Sequence, residues 1–351
     1  MDLRRIAVAT AAALWMTGVV SIATTGCSAE ADSQANDESE DAYRNRGDGG
    51  RGSLQLHVTV DWEGRDLTEA NIRAMETFRT RFPDVKLVHF LNAAYYTKPG
   101  AVTKDVTAKI ARPLRTGDER GLHIHGWERL MEASGVTFRA TPTFWGGANQ
   151  LSNDCNFDCG HEVPISAYET GELRKVIKFS VDTLDKNGFG RAKSFRAGGW
   201  VATPTVREAI AAEGFRSDNS AVPATFLQSE IGTLPLHRWV ADLWAGTTST
   251  TQPYKITTPA GTIAEVADNG ALSDYMTAKE MQDVYEANKR TYLANPSKNV
   301  VISIGFHQET AARFLPILTQ ALDGIFAAAK LDGVPIVSVT SETLATPVLG
   351  K

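Results

Sequence analysis

The feature of this chain that most restricts its fold is a repeated change of hydrophobic period. Short β-rich stretches alternate with longer stretches of helical spacing, about seven times over roughly 290 residues. Leu54 to Asp61 (LQLHVTVD) alternates and is β-rich, so it reads as a strand. Ile72, Met75, Phe78 and Phe82 then recur at helical spacing until Pro83 stops the run. Val85 to Asn92 reads as a second strand, Thr103 to Ala111 as a helix closed off by Pro113, and Gly121 to His125 as a third strand. Ser166 and Glu169 can form a capping box ahead of the stripe Leu173, Val176, Ile177, Val181 and Leu184. Ala192 to Arg196 predicts a strand, Thr203-Pro204 opens a helix that Gly214 ends, and Phe215 to Val222 predicts a further strand. Pro235 to Ala271, rich in Thr, Gly and Trp, reads as short strands and loops. Thr277 and Glu280 cap a helix, Val300 to Phe306 is strand, Ala311 to Lys330 is helix despite Pro316, and Val334 to Thr340 is the closing strand. Strands separated by helices imply a parallel sheet with crossover connections, in which function gathers at the strands' C-terminal ends. With no internal repeat and no Gly-rich nucleotide fingerprint, the pattern favours a closed or nearly closed α/β barrel over an open nucleotide-binding sheet.

The barrel occupies only part of the 351 residues. Arg4 and Arg5, the apolar run Ile6 to Ala23 and the sequence TTGCSAE have the layout of a bacterial secretory signal, and Gly26-Cys27 resembles a lipoprotein cleavage site. Cleavage near Ala29 or an uncleaved anchor are the alternatives, and Ser28 rather than Asp after Cys27 favours the outer membrane. Ser28 to Ser53 holds seven acidic and three basic residues and almost nothing apolar, so it reads as a disordered tether. The expected division is therefore a leader over 1–27, a tether over 28–53 and a single catalytic domain over 54–351. A net charge of −5 argues against a nucleic-acid surface. In an exported protein Cys155 and Cys159 can pair, leaving Cys27 as the odd thiol; with His161 beside them they make an incomplete zinc set, so the disulfide is the favoured reading.

Histidine is scarce, seven in the chain, and two of them, His123 and His125, stand one residue apart at a strand end. Side chains at i and i+2 on a strand share a face, so both rings can reach one metal ion or one substrate; the bland alternative is a polar pair on a solvated face. Other strand ends carry Asp61-Trp62-Glu63, Phe195-Arg196-Ala197-Gly198-Gly199-Trp200, Asp218-Asn219-Ser220 and Gly305-Phe306-His307-Gln308. His57, His89 and His237 read as structural. Asp218 and Ser220 can simply close a turn, and Gln308 and Glu309 can simply start a helix. Apart from Trp15, the tryptophans lie outside the clear helices, and Trp62, Trp127 and Trp200 adjoin these motifs. Indole faces stack on sugar rings, although tryptophan is as often core.

In this order the motifs resemble those of the polysaccharide deacetylases of the NodB-homology type, carbohydrate esterases that remove N- or O-acetyl groups from sugars. Those proteins run through T-F-D-D, H-x-x-x-H, R-x-P-Y-G-like, acidic and L-H motifs, and the likeness spans Leu54 to Leu344. The resemblance implies a distorted (β/α)7 barrel and a divalent ion, usually zinc. It implies that Asp61 is the general base, that Glu63, His123 and His125 hold the metal, that Arg196 orients the base, and that His307 protonates the leaving group. D-W-E replaces two adjacent carboxylates and H-x-H replaces H-x-x-x-H. The roles of Asp61 and Glu63 can therefore be exchanged, His161 or Asp66 has room to complete the shell, and a barrel that has lost its metal is open. The function implied is deacetylation of an envelope or extracellular polysaccharide by a monomer whose membrane contact is its N-terminal anchor. The alternatives are hydrolysis of another non-peptide C–N amide and a silent carbohydrate-binding barrel.

Overall fold

The computed structural model describes residues 51–146 and 158–350. The expected leader, most of the tether, Cys27 and Cys155 lie outside the described residues; Cys159 is disulfide-bonded. The chain is already pinned at Gly52, whose N–H donates to Pro296 O (2.8 Å), and at Ser53, whose N–H donates to Asn299 Oδ1 (3.0 Å).

Among the described residues nine strands follow: β1 (Leu54–Asp61), β2 (Leu87–Leu91), β3 (Glu119–Ile124), β4 (Ser194–Ala197), β5 (Ser217–Asp218), β6 (Tyr254–Thr258), β7 (Gly261–Glu265), β8 (Val300–His307) and β9 (Ile336–Ser338). The helices between and after them are α1 (Glu69–Arg81), α2 (Thr103–Ala111), α3 (Glu128–Ala133), α4 (Thr170–Lys186), α5 (Pro204–Ala212), α6 (Gln228–Ile231), α7 (Pro235–Leu243), α8 (Ala278–Ala294), α9 (Ala311–Asp332) and α10 (Ser341–Leu349). The sheet order is β6-β7-β5-β4-β3-β2-β1-β8, parallel throughout except for the β6–β7 hairpin, with β9 on the first residues of β1. The expected distorted barrel is thus a curled, mixed sheet. An irregular segment, residues 266–273, carries the curl round to β8. Asp268 N–H donates to Ala221 O (2.7 Å), and Gly270 N–H and Ser273 N–H donate to Ser303 O and Gly305 O of β8 (2.8 and 2.9 Å). The side chain of Asn269 stands in for a strand residue, accepting from Ser303 N–H and donating to Val301 O, both at 2.9 Å.

Alternation along β1 sorts its side chains. Leu56, Val58 and Val60 join the apolar core. His57, Thr59 and Asp61 instead make polar contacts: His57 with Ser303 and Ser341 (2.9 Å each), Thr59 and Asp61 with Arg196. Burial holds His57 neutral, at about 3, with the charge of Arg196 acting in the same direction. His57 is therefore structural, as its sequence context indicates.

Four expectations need correction. The capping box of α4 is formed by Glu169 and Glu172, whose Oε2 accepts from Glu169 N–H (3.0 Å), and Ser166 belongs to a separate turn. The strand expected over Phe215 to Val222 shrinks to β5, because the following residues turn to hydrogen-bond β4 and β7. Pro235 to Ala271 contains α7, with Pro235 at its first position and Leu236 and Val240 buried one turn apart, so Trp239 is helical. The closing strand is β9 alone, and α10 follows it, with Thr340 Oγ1 accepting from Thr343 N–H.

Asp118, at the entry to β3, fixes the lower rim. Its carboxylate accepts from Arg79 (2.9 Å) on α1, Leu87 N–H (3.0 Å) on β2 and Arg115 N–H (2.7 Å), with His89 Nε2 at 3.4 Å. Both members of the Arg79–Asp118 pair are buried. Asp118→Ala leaves that guanidinium buried without its counter-ion, and we expect urea unfolding to show a loss of about 3–5 kcal/mol.

Candidate active site

The C-terminal ends of β1, β3, β4 and β8 open on a cleft of ≈ 370 Å³ lined by Asp61, Glu63, His123, His125, His161, Trp200, Tyr275 and His307, with Phe144, Trp145 and Leu236 as its apolar wall. The stretch Asp61-Trp62-Glu63 leaves β1 with both carboxylates facing the cleft and Trp62 buried between them; the Trp62 indole N–H donates to His89 Nδ1 (3.3 Å). Glu63 is the focus. Its Oε1 lies 3.3 Å from His123 Nε2 and 3.5 Å from His307 Nε2, and its Oε2 lies 2.7 Å from His125 Nε2 and 2.6 Å from His161 Nε2.

The hydrogen bonds on the far side of each ring decide which nitrogen carries the proton. His123 Nδ1–H donates to Arg196 O (2.9 Å) and His125 Nδ1–H to His161 O (2.6 Å). With Nδ1–H given to a main-chain carbonyl, each ring turns its buried Nε2 toward Glu63. Nε2 is therefore the atom that each ring can offer to a cation beside Glu63. The donor set fits a divalent metal: Glu63, His125 and His161 offer ligand atoms within 4.8 Å of one another, and so do Asp61, Glu63 and His307. Charge supports the same conclusion. Burial opposes ionisation of Glu63, but His125 and His307 hold it well below the usual carboxylate range. Burial and the charge of Glu63 push nearby Glu309 up to about 8.

His161 sits differently from the other two. Its ring stacks on that of His125, with centroids 4.2 Å apart and planes 14° apart, and its Nδ1 lies 3.2 Å from Arg65 Nη2. Guanidinium has no acceptor, so Nδ1 accepts from Arg65 and the neutral ring presents Nε2–H to Glu63. Burial, with the charge of His125, holds His161 down to about 3. Asp66, the other residue with room to join, is exposed and does not line the cleft.

Asp61 and Glu63 have different partners here. Asp61 Oδ1 accepts from Arg196 Nη1 (3.0 Å), which also donates to Thr59 Oγ1 (2.9 Å) and lies 3.4 Å from Asp268 Oδ2. Arg196 Nε donates to Asn219 O (2.8 Å), and the guanidinium lies over Phe90 at 4.8 Å. Burial pushes Asp268 up to about 6, although Arg196 pulls it the other way. His307 Nδ1 lies 3.2 Å from Asp274 Oδ2. Burial alone would make His307 less basic, but Asp274, Glu63 and Asp61 outweigh it and raise it to about 10, so it is an imidazolium at neutral pH.

The turn after β4 is shaped for these rings. A Cβ on Gly198 would lie 2.7 Å from His125 Nδ1 and Cε1, so only glycine lets the imidazole lie against this backbone. Gly199 and Trp200 then both take positive φ (+62° and +58°), which brings the Trp200 indole N–H to Asp268 Oδ2 (3.2 Å).

Sequence reading missed Asp274, Asp268 and Glu309, lone acids in irregular segments with no periodic signal. It placed Asp218 among the site motifs, and the structure moves it away. Asp218 lies beside Glu265 of β7, its register partner; both are buried, and neither lines the cleft. Burial pushes Asp218 up to about 6 and Glu265 well above the usual range, with the charge of Asp218 adding to the shift in Glu265.

No family model matches the sequence, and none of the curated proteins does. Among solved structures the fold is similar to a Mycobacterium smegmatis protein assigned by inference to the polysaccharide deacetylases, with a TM-score of 0.50 and 12% identity over 86% of this chain and 91% of that one. A Pseudomonas aeruginosa PAO1 protein assigned in the same way gives a TM-score of 0.47 and 13% identity over 83% and 89% of the two chains. At such identity the likeness concerns the fold, which is that of the polysaccharide deacetylases.

The Asp218–Glu265 pair retains a proton that the unfolded chain releases, so the stability it lends falls as pH rises from the ordinary carboxylate range through neutrality. Glu265→Gln replaces the shared proton with a permanent N–H donor. Thermal melts from pH 5 to pH 8 should show the variant losing less stability than the wild type across that interval.

Proposed function

We propose that this protein is a divalent-metal-dependent hydrolase that removes acetyl groups, N- or O-linked, from saccharides, with zinc as its ion. The observation that carries this reading is the pair of Nε2 atoms, on His123 and His125, aimed at one buried carboxylate with their Nδ1 atoms tied to main-chain carbonyls. Glu63, His123 and His125 hold the ion in this reading, and His161 steadies Glu63 from beside them through its Nε2–H. When bound, such an ion supplies Lewis acidity, polarising an acyl carbonyl and acidifying water.

The remaining chemistry belongs to side chains. Asp61, fixed by Arg196, takes the proton of the attacking water. His307, charged and steadied by Asp274, gives a proton to the departing nitrogen or oxygen as the bond to the acyl carbon breaks and acetate is released. Trp145, Trp200 and Tyr275 offer aromatic faces to a sugar ring. The deacetylase fold supports the same substrate class. The leader and Cys27 support an exported, lipid-anchored protein of the bacterial envelope, with the catalytic domain following the acidic tether and acting on an envelope or extracellular polysaccharide.

The test is acetate release by the zinc-loaded protein from N-acetylated and O-acetylated oligosaccharides, lost on chelation and restored by zinc. A protein that binds zinc yet releases acetate from neither class overturns the acetyl reading. Asp61→Asn and His123→Ala should each lower turnover by about 10²–10⁴-fold, with circular dichroism unchanged. Asp274→Asn removes the first of the charges that raise His307. The alkaline limb of the kcat/KM profile should then move to lower pH, because the acid loses its proton sooner.

A further inference from the structure

We propose that Glu309 is a positioning residue for the metal centre: it clamps the main chain on both sides of Glu63 and thereby sets how tightly the site holds its cation. The inference rests on the metal reading above. Glu309 lies two residues beyond His307, in the turn Gln308–Thr310 that leads into α9. Its Oε2 accepts from Glu63 N–H (3.1 Å) and its Oε1 from Arg65 N–H (3.3 Å). Tyr95 O–H donates to the same Oε1, and Gln308, turned so that its amide nitrogen faces acceptors, donates to it at 3.2 Å. Both oxygens are thus engaged by N–H and O–H donors, so this carboxylate acts on the backbone and not as a ligand.

The other side of the Glu63 residue is held as well. Its carbonyl accepts from the Trp127 indole N–H (2.8 Å) and from Asn92 Nδ2 (3.1 Å). With the N–H fixed by Glu309 and the carbonyl by Trp127 and Asn92, only side-chain torsions remain to Glu63. Glu309 is itself anchored, since its carbonyl accepts from Asn71 Nδ2 (2.6 Å) at the start of α1, and Asn71 Oδ1 accepts from Ala312 N–H (3.0 Å) of α9. One carboxylate therefore joins the loop after β1, which carries Glu63, to the loop after β8, which carries His307. Outer partners of metal ligands act in this way, by fixing ligand orientation before the ion arrives.

The experiment is zinc affinity of the full chain, measured by competition with a chromophoric chelator, for wild type, Glu309→Gln and Glu309→Ala. We expect Glu309→Ala to bind about 10–100-fold more weakly, and Glu309→Gln, whose amide oxygen keeps one acceptor, to lose less. A merely structural role would lower the melting temperature of the metal-free protein and leave zinc affinity of the folded fraction unchanged. Equal affinities in wild type and both variants overturn the proposal. A wild type that binds no zinc overturns the metal reading itself, and this inference with it, which is a different result from equal, measurable affinities.

Discussion

Arg196 is the constraint around which the site is arranged. Its guanidinium is fully buried, and a buried cation is tolerated only where carboxylates and hydrogen-bond acceptors surround it. It receives Asp61, Asp268, Thr59 and a main-chain carbonyl, while its own carbonyl fixes the tautomer of His123. One residue of β4 thus orients the carboxylate assigned as base and the imidazole assigned as ligand. Removing it would leave two buried carboxylates facing each other across the barrel interior.

Around that centre, parallel strands do the placing. β1, β3, β4 and β8 end at one rim, so short stretches far apart in sequence meet there. The one-residue spacing of His123 and His125 works because β3 ends between them. The first ring lies on the strand and the second just past it, with centroids 4.9 Å apart. The same economy puts Asp61 on the last residue of β1 and Glu63 two residues later, separated by a buried indole.

Much of this was legible in the sequence because it is carried by period and punctuation. β1, α2 and the Thr277 cap fall where alternation, Pro113 and the Thr-x-x-Glu spacing put them. Six side chains singled out from strand ends, Asp61, Glu63, His123, His125, Arg196 and His307, do meet, and they meet through strand register, which a sequence displays as motif order. What was not legible depends on irregular backbone. His161 could be named only as one of two residues with room to complete the shell, because it reaches Glu63 from a loop whose path no period encodes. Asp274 and Glu309 are single acids whose partners come from other elements, and α7 hides its helical stripe within a Thr- and Gly-rich stretch. Asp218 misleads because β5 ends on it and the chain turns at once. Asn219 reaches toward Ser341 on one side, while Asp218 turns to Glu265 on the other.

The segment over residues 266–273 has a mechanical consequence. It is the seam of the sheet, fastened to β8 partly by one amide side chain instead of by a full ladder of main-chain bonds. Asp268 leaves this seam for Arg196, and Asp274 leaves just beyond it for His307. Any excursion that unzips the seam withdraws both carboxylates together, so Arg196 and His307 lose these counter-charges in a single event.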